Sequence, residues 1–115
     1  MRREILEAAN INYEKGLTRC MGKTSLYERL LGVFLKDADF GQAKACIETQ
    51  DYEKMFEHIH ALKGVSGNLE ITDVYNMTAE ITQKLRHKDY GTLPALFAKL
   101  ESAYDLAMAA IATPE

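Results

Sequence analysis

The sequence predicts an all-α fold, an antiparallel up-and-down four-helix bundle with short additional N-terminal helices. Apolar residues recur at helical intervals along almost the whole chain, and no stretch alternates apolar and polar residues over strand length. Only two prolines occur, Pro94 and Pro114, and neither interrupts a long apolar pattern. The connections between the longest patterns are a few residues long, and short connections favour antiparallel neighbours in a bundle.

The first half of the chain carries one long helical pattern and several shorter ones. Short helices are predicted over residues 5–9, Tyr13–Arg19 and 40–49. Gly16, Gly22 and Gly41 are interpreted as interruptions of the helical pattern in this region. The first long helix covers residues 26–34. Ser25, with Glu28 three residues later, has the spacing of a capping box at its start.

Three further long helices follow, each preceded by a residue suited to capping. Their apolar patterns cover residues 52–69, 74–85 and 93–111. Asp51 and Asp73 precede the first two, and Thr92 precedes the last, where Pro94 is tolerated in the first turn. The residues predicted for the core are Leu30, Phe34, Phe56, Ile59, Leu62, Ile81, Leu96 and Leu100.

The length, composition and charge of the chain limit the classes of protein to which it can belong. The chain has 115 residues, 47% apolar and 27% charged, which is typical of one globular domain covering residues 1–115. The net charge is −3 without a dense basic cluster, which excludes nucleic acid as a partner. The longest apolar stretches, residues 30–35 and 106–112, fall far short of the roughly 20 residues that span a bilayer, and Glu7 interrupts any signal-peptide core. We therefore expect a cytoplasmic monomer without membrane association.

The most informative segment is residues 57–69, within the second long helix. It contains Gly64 and Gly67, although Gly costs roughly 1 kcal/mol relative to Ala in a helix interior. At 100° per residue, His60 lies about 120° from the centre of the apolar stripe, at its solvent margin. Both glycines lie along the same line as His60. The imidazole is therefore predicted to project beside a strip that has no side chains.

Lys63 completes this arrangement, because a residue three positions on is close enough for its ammonium to reach a group attached to the His60 ring. A neutral imidazole supplies a nucleophile near pH 7, and a cation offsets anionic oxygens. Bare backbone admits the active site of another protein. The pattern indicates an accessible phosphoryl acceptor.

These residues resemble the HxxKG signature of histidine-containing phosphotransfer (Hpt) domains. The resemblance covers roughly residues 10–112. The matching motifs are His60-Ala61-Leu62-Lys63-Gly64 and Ser66-Gly67-Asn68-Leu69, with Gly16-Leu17-x-Arg19 and Leu26-Tyr27-x-x-Leu30-Leu31-x-x-Phe34 upstream and the Lys88-Asp89-Tyr90 turn downstream. The chain departs from the family at Ile59 and Ala61, where a small and a hydroxyl residue are frequent, and at Glu70-Ile71, which replaces small residues.

The resemblance implies a phosphoryl carrier of a two-component phosphorelay without catalytic machinery of its own. His60 would accept a phosphoryl group from a receiver-domain aspartate and pass it to another, and Lys63 would stabilise the phosphate. Gly64 and Gly67 would leave space for partner docking, while Ser66 and Asn68 would serve helix packing and hydrogen bonding. The implied partners are response regulator receiver domains and a hybrid sensor histidine kinase. No cofactor is expected on this chain, because the receiver supplies Mg²⁺.

Other functions have weaker support in the sequence. Glu57-x-x-His60 has the spacing of a bundle metal site, but no second copy occurs, and His58 lies about 200° from His60 around the helix. No Gly-x-Ser-x-Gly elbow or phosphate-binding loop is present. Cys20 and Cys46 lack a Cys-x-x-Cys spacing and are interpreted as buried reduced thiols. The remaining alternative is an unphosphorylated interaction scaffold with the Hpt fold, which would need neither His60 nor Lys63.

Overall fold

The structure, a computed structural model, describes residues 1–114, and this part of the chain folds into seven α-helices. They are α1 (Arg3–Ala8), α2 (Tyr13–Arg19), α3 (Thr24–Phe34), α4 (Asp39–Thr49), α5 (Tyr52–Asn68), α6 (Thr72–Arg86) and α7 (Leu93–Ala112). The only β-type pairing within residues 1–114 is an isolated antiparallel bridge between Ile11 and Ile71. The predicted all-α class is confirmed.

The four-helix bundle consists of α4 to α7, each packed antiparallel against the next. Helices α1 to α3 lie outside it, with α1 and α3 in contact with α7. The predicted architecture is therefore confirmed, but its first member is α4 rather than the long pattern of α3. Helix α4 buries Phe40, Ala43 and Cys46 at intervals of three residues, which gives it a continuous stripe facing the bundle.

Two of the four predicted helix starts differ from the structure. Asp51 caps α5 as predicted, since its Oδ1 accepts a hydrogen bond from the Lys54 amide at 3.2 Å. Thr92 occupies the N-cap position of α7, with the proline in the first turn, although its side chain makes no capping bond. Ser25 and Asp73 were wrongly predicted as N-caps, because both lie inside the first turn of their helices.

The acidic groups near those two starts serve tertiary contacts instead. The carboxylate of Glu28 accepts a hydrogen bond from the Tyr13 phenol at 2.7 Å. Asp73 accepts one from the Asn10 side-chain amide, also at 2.7 Å. The first bond joins α2 to α3, and the second joins the turn after α1 to the start of α6.

The predicted core is largely confirmed. Phe34, Ile59, Leu62, Ile81, Leu96 and Leu100 are buried, and Phe56 is half-buried against the core. Leu30 was wrongly placed there, because 36% of its surface is exposed, along a groove that α3 shares with the carboxyl end of α5. Cys20 and Cys46 are free, buried thiols, as predicted. No helix within residues 1–114 has the length and hydropathy needed to cross a membrane.

The N-terminal helices support the carboxyl end of α5. The Tyr27 ring is fully buried, and its hydroxyl donates a hydrogen bond to the Leu69 carbonyl at 2.7 Å. Burial raises the pKa of Tyr27, so the phenol remains a donor at neutral pH. Gly16 makes this position possible, because a Cβ there would overlap the Tyr27 ring.

The backbone joins the same regions. The amide of Asn12 donates to the carbonyl of Glu70 at 2.8 Å, and the amide of Thr72 donates to the carbonyl of Asn10 at 3.0 Å. These two bonds flank the bridge between Ile11 and Ile71. The turn between α5 and α6 is therefore held by the N-terminal segment.

Candidate functional site

Helix α5 places the predicted site residues on its outer face. Its buried residues, Met55, Ile59, Leu62 and Ser66, face the bundle. His60 and Gly64 are exposed, whereas Lys63 and Gly67 are partly exposed. The structure thus brings His60, Lys63, Gly64 and Gly67 together along one open groove of about 560 Å³.

The charge of this groove is predominantly positive. Its lining residues include Lys15 and Arg19 of α2 as well as Lys63 of α5. Glu70 is the single carboxylate among the described residues that line it, and it already pairs with Arg19 at 3.5 Å. Such a groove favours an anionic group near His60.

The two site glycines have different surroundings. A Cβ at Gly64 would meet no other atom within 4 Å, so this position opens directly onto space beside the helix. A Cβ at Gly67 would lie 2.9 Å from the ring of Tyr75 in α6. Gly64 therefore leaves its surface bare, and Gly67 accommodates a neighbouring side chain of the same molecule.

The imidazole of His60 has one close aromatic neighbour. It stacks on the Phe56 ring, with 5.9 Å between centroids and 9° between planes. Within residues 1–114, no side chain or backbone group hydrogen-bonds to the His60 ring. Its two ring nitrogens are therefore not committed to the protein.

His58 lies on a different side of α5. Its Nδ1 is 2.9 Å from Oδ1 of Asp39, in the first turn of α4, and the side chain is mostly buried. The two histidines therefore belong to separate surroundings. Among the described residues, no three His, Cys, Asp or Glu side chains are arranged to hold a metal ion.

Ser66 and Asn68 follow the site residues along the helix. Ser66 is buried, and its hydroxyl donates to the Lys63 carbonyl at 3.2 Å. Asn68 is exposed and lines the groove. Ser66 thus combines packing with a local hydrogen bond within the helix that carries His60.

Sequence reasoning did not assign a site role to Lys15, Tyr75 or the Phe56 ring. Arg19 entered only as part of the family resemblance. Lys15 and Arg19 are four residues apart and therefore share a face of α2. This spacing could have indicated a positively charged helix face. Whether this face of α2 lines the groove depends on how α2 packs beside α5. Residue spacing along the chain does not determine that packing.

The comparison with protein families identifies the class. Residues 29–112 match the Hpt domain, from the middle of α3 to the end of α7. The chain belongs to the Hpt domain family. The searches of curated proteins and of solved structures gave no match. Hpt domains are phosphoryl carriers in phosphorelays rather than enzymes in the usual sense, and they interact with receiver domains.

Proposed function

We propose that this chain accepts a phosphoryl group on His60 from the aspartate of one receiver domain and passes it to the aspartate of another. The observation that carries the proposal is the exposed imidazole of His60 in a positively charged groove, with Lys63 beside it and open space at Gly64. A scaffold that only docks proteins could use the open space but would need neither the imidazole of His60 nor the ammonium of Lys63.

The transfer is a nucleophilic substitution at phosphorus. The lone pair of His60 Nε2 forms the N–P bond, because the outer nitrogen is the one that an opposing aspartyl phosphate can reach. The P–O bond of the acyl phosphate breaks, and its electron pair returns to the aspartate as a carboxylate. Nδ1 keeps its proton during the attack, so the phosphorylated ring is cationic until solvent removes that proton. Return transfer to a second aspartate reverses these changes.

Lys63 is proposed to stabilise the phosphoryl group. During transfer, negative charge spreads over the phosphoryl oxygens, and a nearby ammonium offsets it. Lys15 and Arg19 add positive charge to the same groove. No cofactor is proposed on this chain, and the receiver domain would supply the Mg²⁺ on its own side of the interface.

Gly64 and Gly67 are proposed to support docking of the receiver, Gly64 by leaving room for it and Gly67 through the side chain of Tyr75 beside it. The open space at Gly64 lies one helical turn beyond His60, where the active site of a partner must approach. Gly67 contributes less directly, since its small size allows the Tyr75 ring to pack closely against α5. Response regulator receiver domains and a hybrid sensor histidine kinase are the proposed partners.

Transfer from a phosphorylated receiver tests the proposal. The protein is incubated with a labelled phosphoreceiver and Mg²⁺, and acid-labile phosphate on the chain is measured. We expect His60→Gln to abolish labelling with unchanged helical content, and His58→Gln to retain it. Labelling that His58→Gln abolishes and His60→Gln preserves would overturn the assignment. Receiver binding without any labelling would favour the scaffold alternative.

A further inference from the structure

The surroundings of His60 are asymmetric along α5. In a helix, side chains lean toward the N-terminus, so the His60 ring rests over the turn that contains Phe56. The two rings are nearly parallel, at 9°, with centroids 5.9 Å apart. One turn in the other direction, Gly64 presents no side chain. The imidazole is therefore restrained on the side of Phe56 and open on the side of Gly64.

Phe56 is itself held from a second helix. Its ring packs partly against the hydrophobic core, and the Arg86 guanidinium of α6 lies 5.6 Å from its centroid. An arginine over an aromatic face is attracted by the ring quadrupole. Phe56 therefore provides a surface whose orientation is determined by both α5 and α6.

A stacked neighbour restrains the imidazole differently from a hydrogen bond. The reacting lone pair lies in the ring plane, so fixing that plane confines the direction from which Nε2 approaches phosphorus to the same plane. A hydrogen bond would achieve this by occupying Nδ1, but the described part of the chain makes no such bond to His60. Stacking leaves both ring nitrogens free for the phosphoryl group and for proton exchange.

We infer that Phe56 is a positioning residue for phosphotransfer, which fixes the plane of the His60 imidazole before a receiver docks, and that Arg86 holds Phe56 in place. This inference rests on the proposed function of His60. Phe56 makes no direct contact with the phosphoryl group in this account and acts only through the His60 ring.

The test compares two aromatic residues of α5. Phe56→Leu removes the stack on His60, whereas Tyr52→Leu removes a stack on Tyr90, at 3.7 Å between centroids, one turn earlier in the same helix. Proton NMR reports the ring-current shifts of the His60 ring, and rapid-quench kinetics report transfer from a phosphoreceiver. Phe56→Tyr is the conservative rescue.

We expect Phe56→Leu to lower the transfer rate at saturating receiver by roughly threefold to tenfold, the range of an aromatic pair energy converted to a rate. The receiver concentration at half-maximal rate should not change, because docking is intact. The chemical shifts of the His60 ring protons should change in the same variant, because the ring current of Phe56 is lost. Phe56→Tyr and Tyr52→Leu should retain the wild-type rate and His60 shifts.

A wild-type maximal rate in Phe56→Leu, or His60 ring shifts that do not move, would overturn the inference. If Phe56→Leu loses helical content, Phe56→Met preserves side-chain volume without a ring and is judged by the same two outcomes. Absence of phosphate on His60 in the wild-type protein would refute the proposed function, and this result is distinct from a defect confined to the Phe56 variants.

Discussion

Gly16 and Gly64 are both helical glycines, but the molecule uses their small size in opposite ways. At Gly16 the space that a side chain would take is filled by the buried ring of Tyr27. At Gly64 the corresponding space is empty and open to solvent. The first glycine allows two parts of this chain to approach each other. The second leaves room that this chain does not use, beside the candidate acceptor.

The difference separates two regions of the molecule. The supporting layer consists of α1 to α3 with Gly16 and Tyr27, and the working surface is the outer face of α5 with His60, Lys63 and Gly64. Tyr27 ties α3 to the carboxyl end of α5 through the Leu69 carbonyl, and the N-terminal segment holds the following turn. His60 and Gly64 lie on the outer face of the same helix. Substitutions in the first region should therefore change stability, and substitutions in the second should change transfer.

The largest effect is expected at Gly16. Gly16→Ala should lower the free energy of unfolding by about 3 kcal/mol, because the new methyl group overlaps the buried Tyr27 ring, whose hydroxyl is bonded to the Leu69 carbonyl. Denaturant unfolding measures the loss. Gly41→Ala is the matched control, since its Cβ would meet nothing within 4 Å, and it should be neutral or stabilising by up to about 1 kcal/mol. Equal stability of the two variants would contradict the proposed close packing.

Tyr27→Phe should have a smaller effect of the same kind. It keeps the ring but removes the donor to the Leu69 carbonyl, which leaves a buried acceptor unpaired at a cost of about 1 to 2 kcal/mol. Urea unfolding at neutral pH measures this cost, with Tyr75→Phe, whose residue is 39% exposed, as the control. An unchanged midpoint for Tyr27→Phe would show that this bond contributes no net stability.

Lys63→Ala should affect the working surface without affecting the supporting layer. Loss of the ammonium should slow transfer to His60 by about tenfold, close to 1.4 kcal/mol of transition-state stabilisation, while the melting temperature remains near the wild-type value. Lys99→Ala removes an exposed lysine of α7 outside the groove and should transfer normally. Equal rates for the two variants would exclude Lys63 from a role in transfer.

Gly64→Gln should give the smallest loss, and it should be a docking defect. The added side chain occupies the open space, so the receiver concentration at half-maximal transfer should rise roughly threefold. Stability should be equal or slightly higher, because Gln is the better helix former. Gly64→Ala adds only one methyl group and should lie between Gln and wild type. Normal transfer in Gly64→Gln would show that a receiver does not use this space.

The sequence predicted the features that depend on one helix at a time. Helical periodicity identified the positions of the helices, and Asp51 was a correct start because its capping partner is three residues away. The outward register of His60 and Gly64 followed from the apolar stripe of α5. These features are local, and spacing alone determines them.

The features that the sequence did not predict depend on which helices are neighbours. Leu30 belongs to an apolar pattern, yet it lines an open groove beside α5 and is 36% exposed. Glu28 was assigned to a capping box but instead accepts a bond from Tyr13, fifteen residues away. The contact of Tyr75 with Gly67 and the positions of Lys15 and Arg19 beside the groove likewise depend on packing between helices.

The most direct measurement concerns the atom that carries the phosphoryl group. The protein, labelled with ¹⁵N in its histidine rings, is phosphorylated by a receiver in the presence of Mg²⁺ and examined by NMR for phosphorus–nitrogen coupling. We predict coupling at Nε2 of His60 alone, with the rings of His58 and of His87, the C-cap residue of α6, unchanged. Coupling at either of those two histidines, or at none of the three while the receiver loses its phosphate to water, would contradict the account.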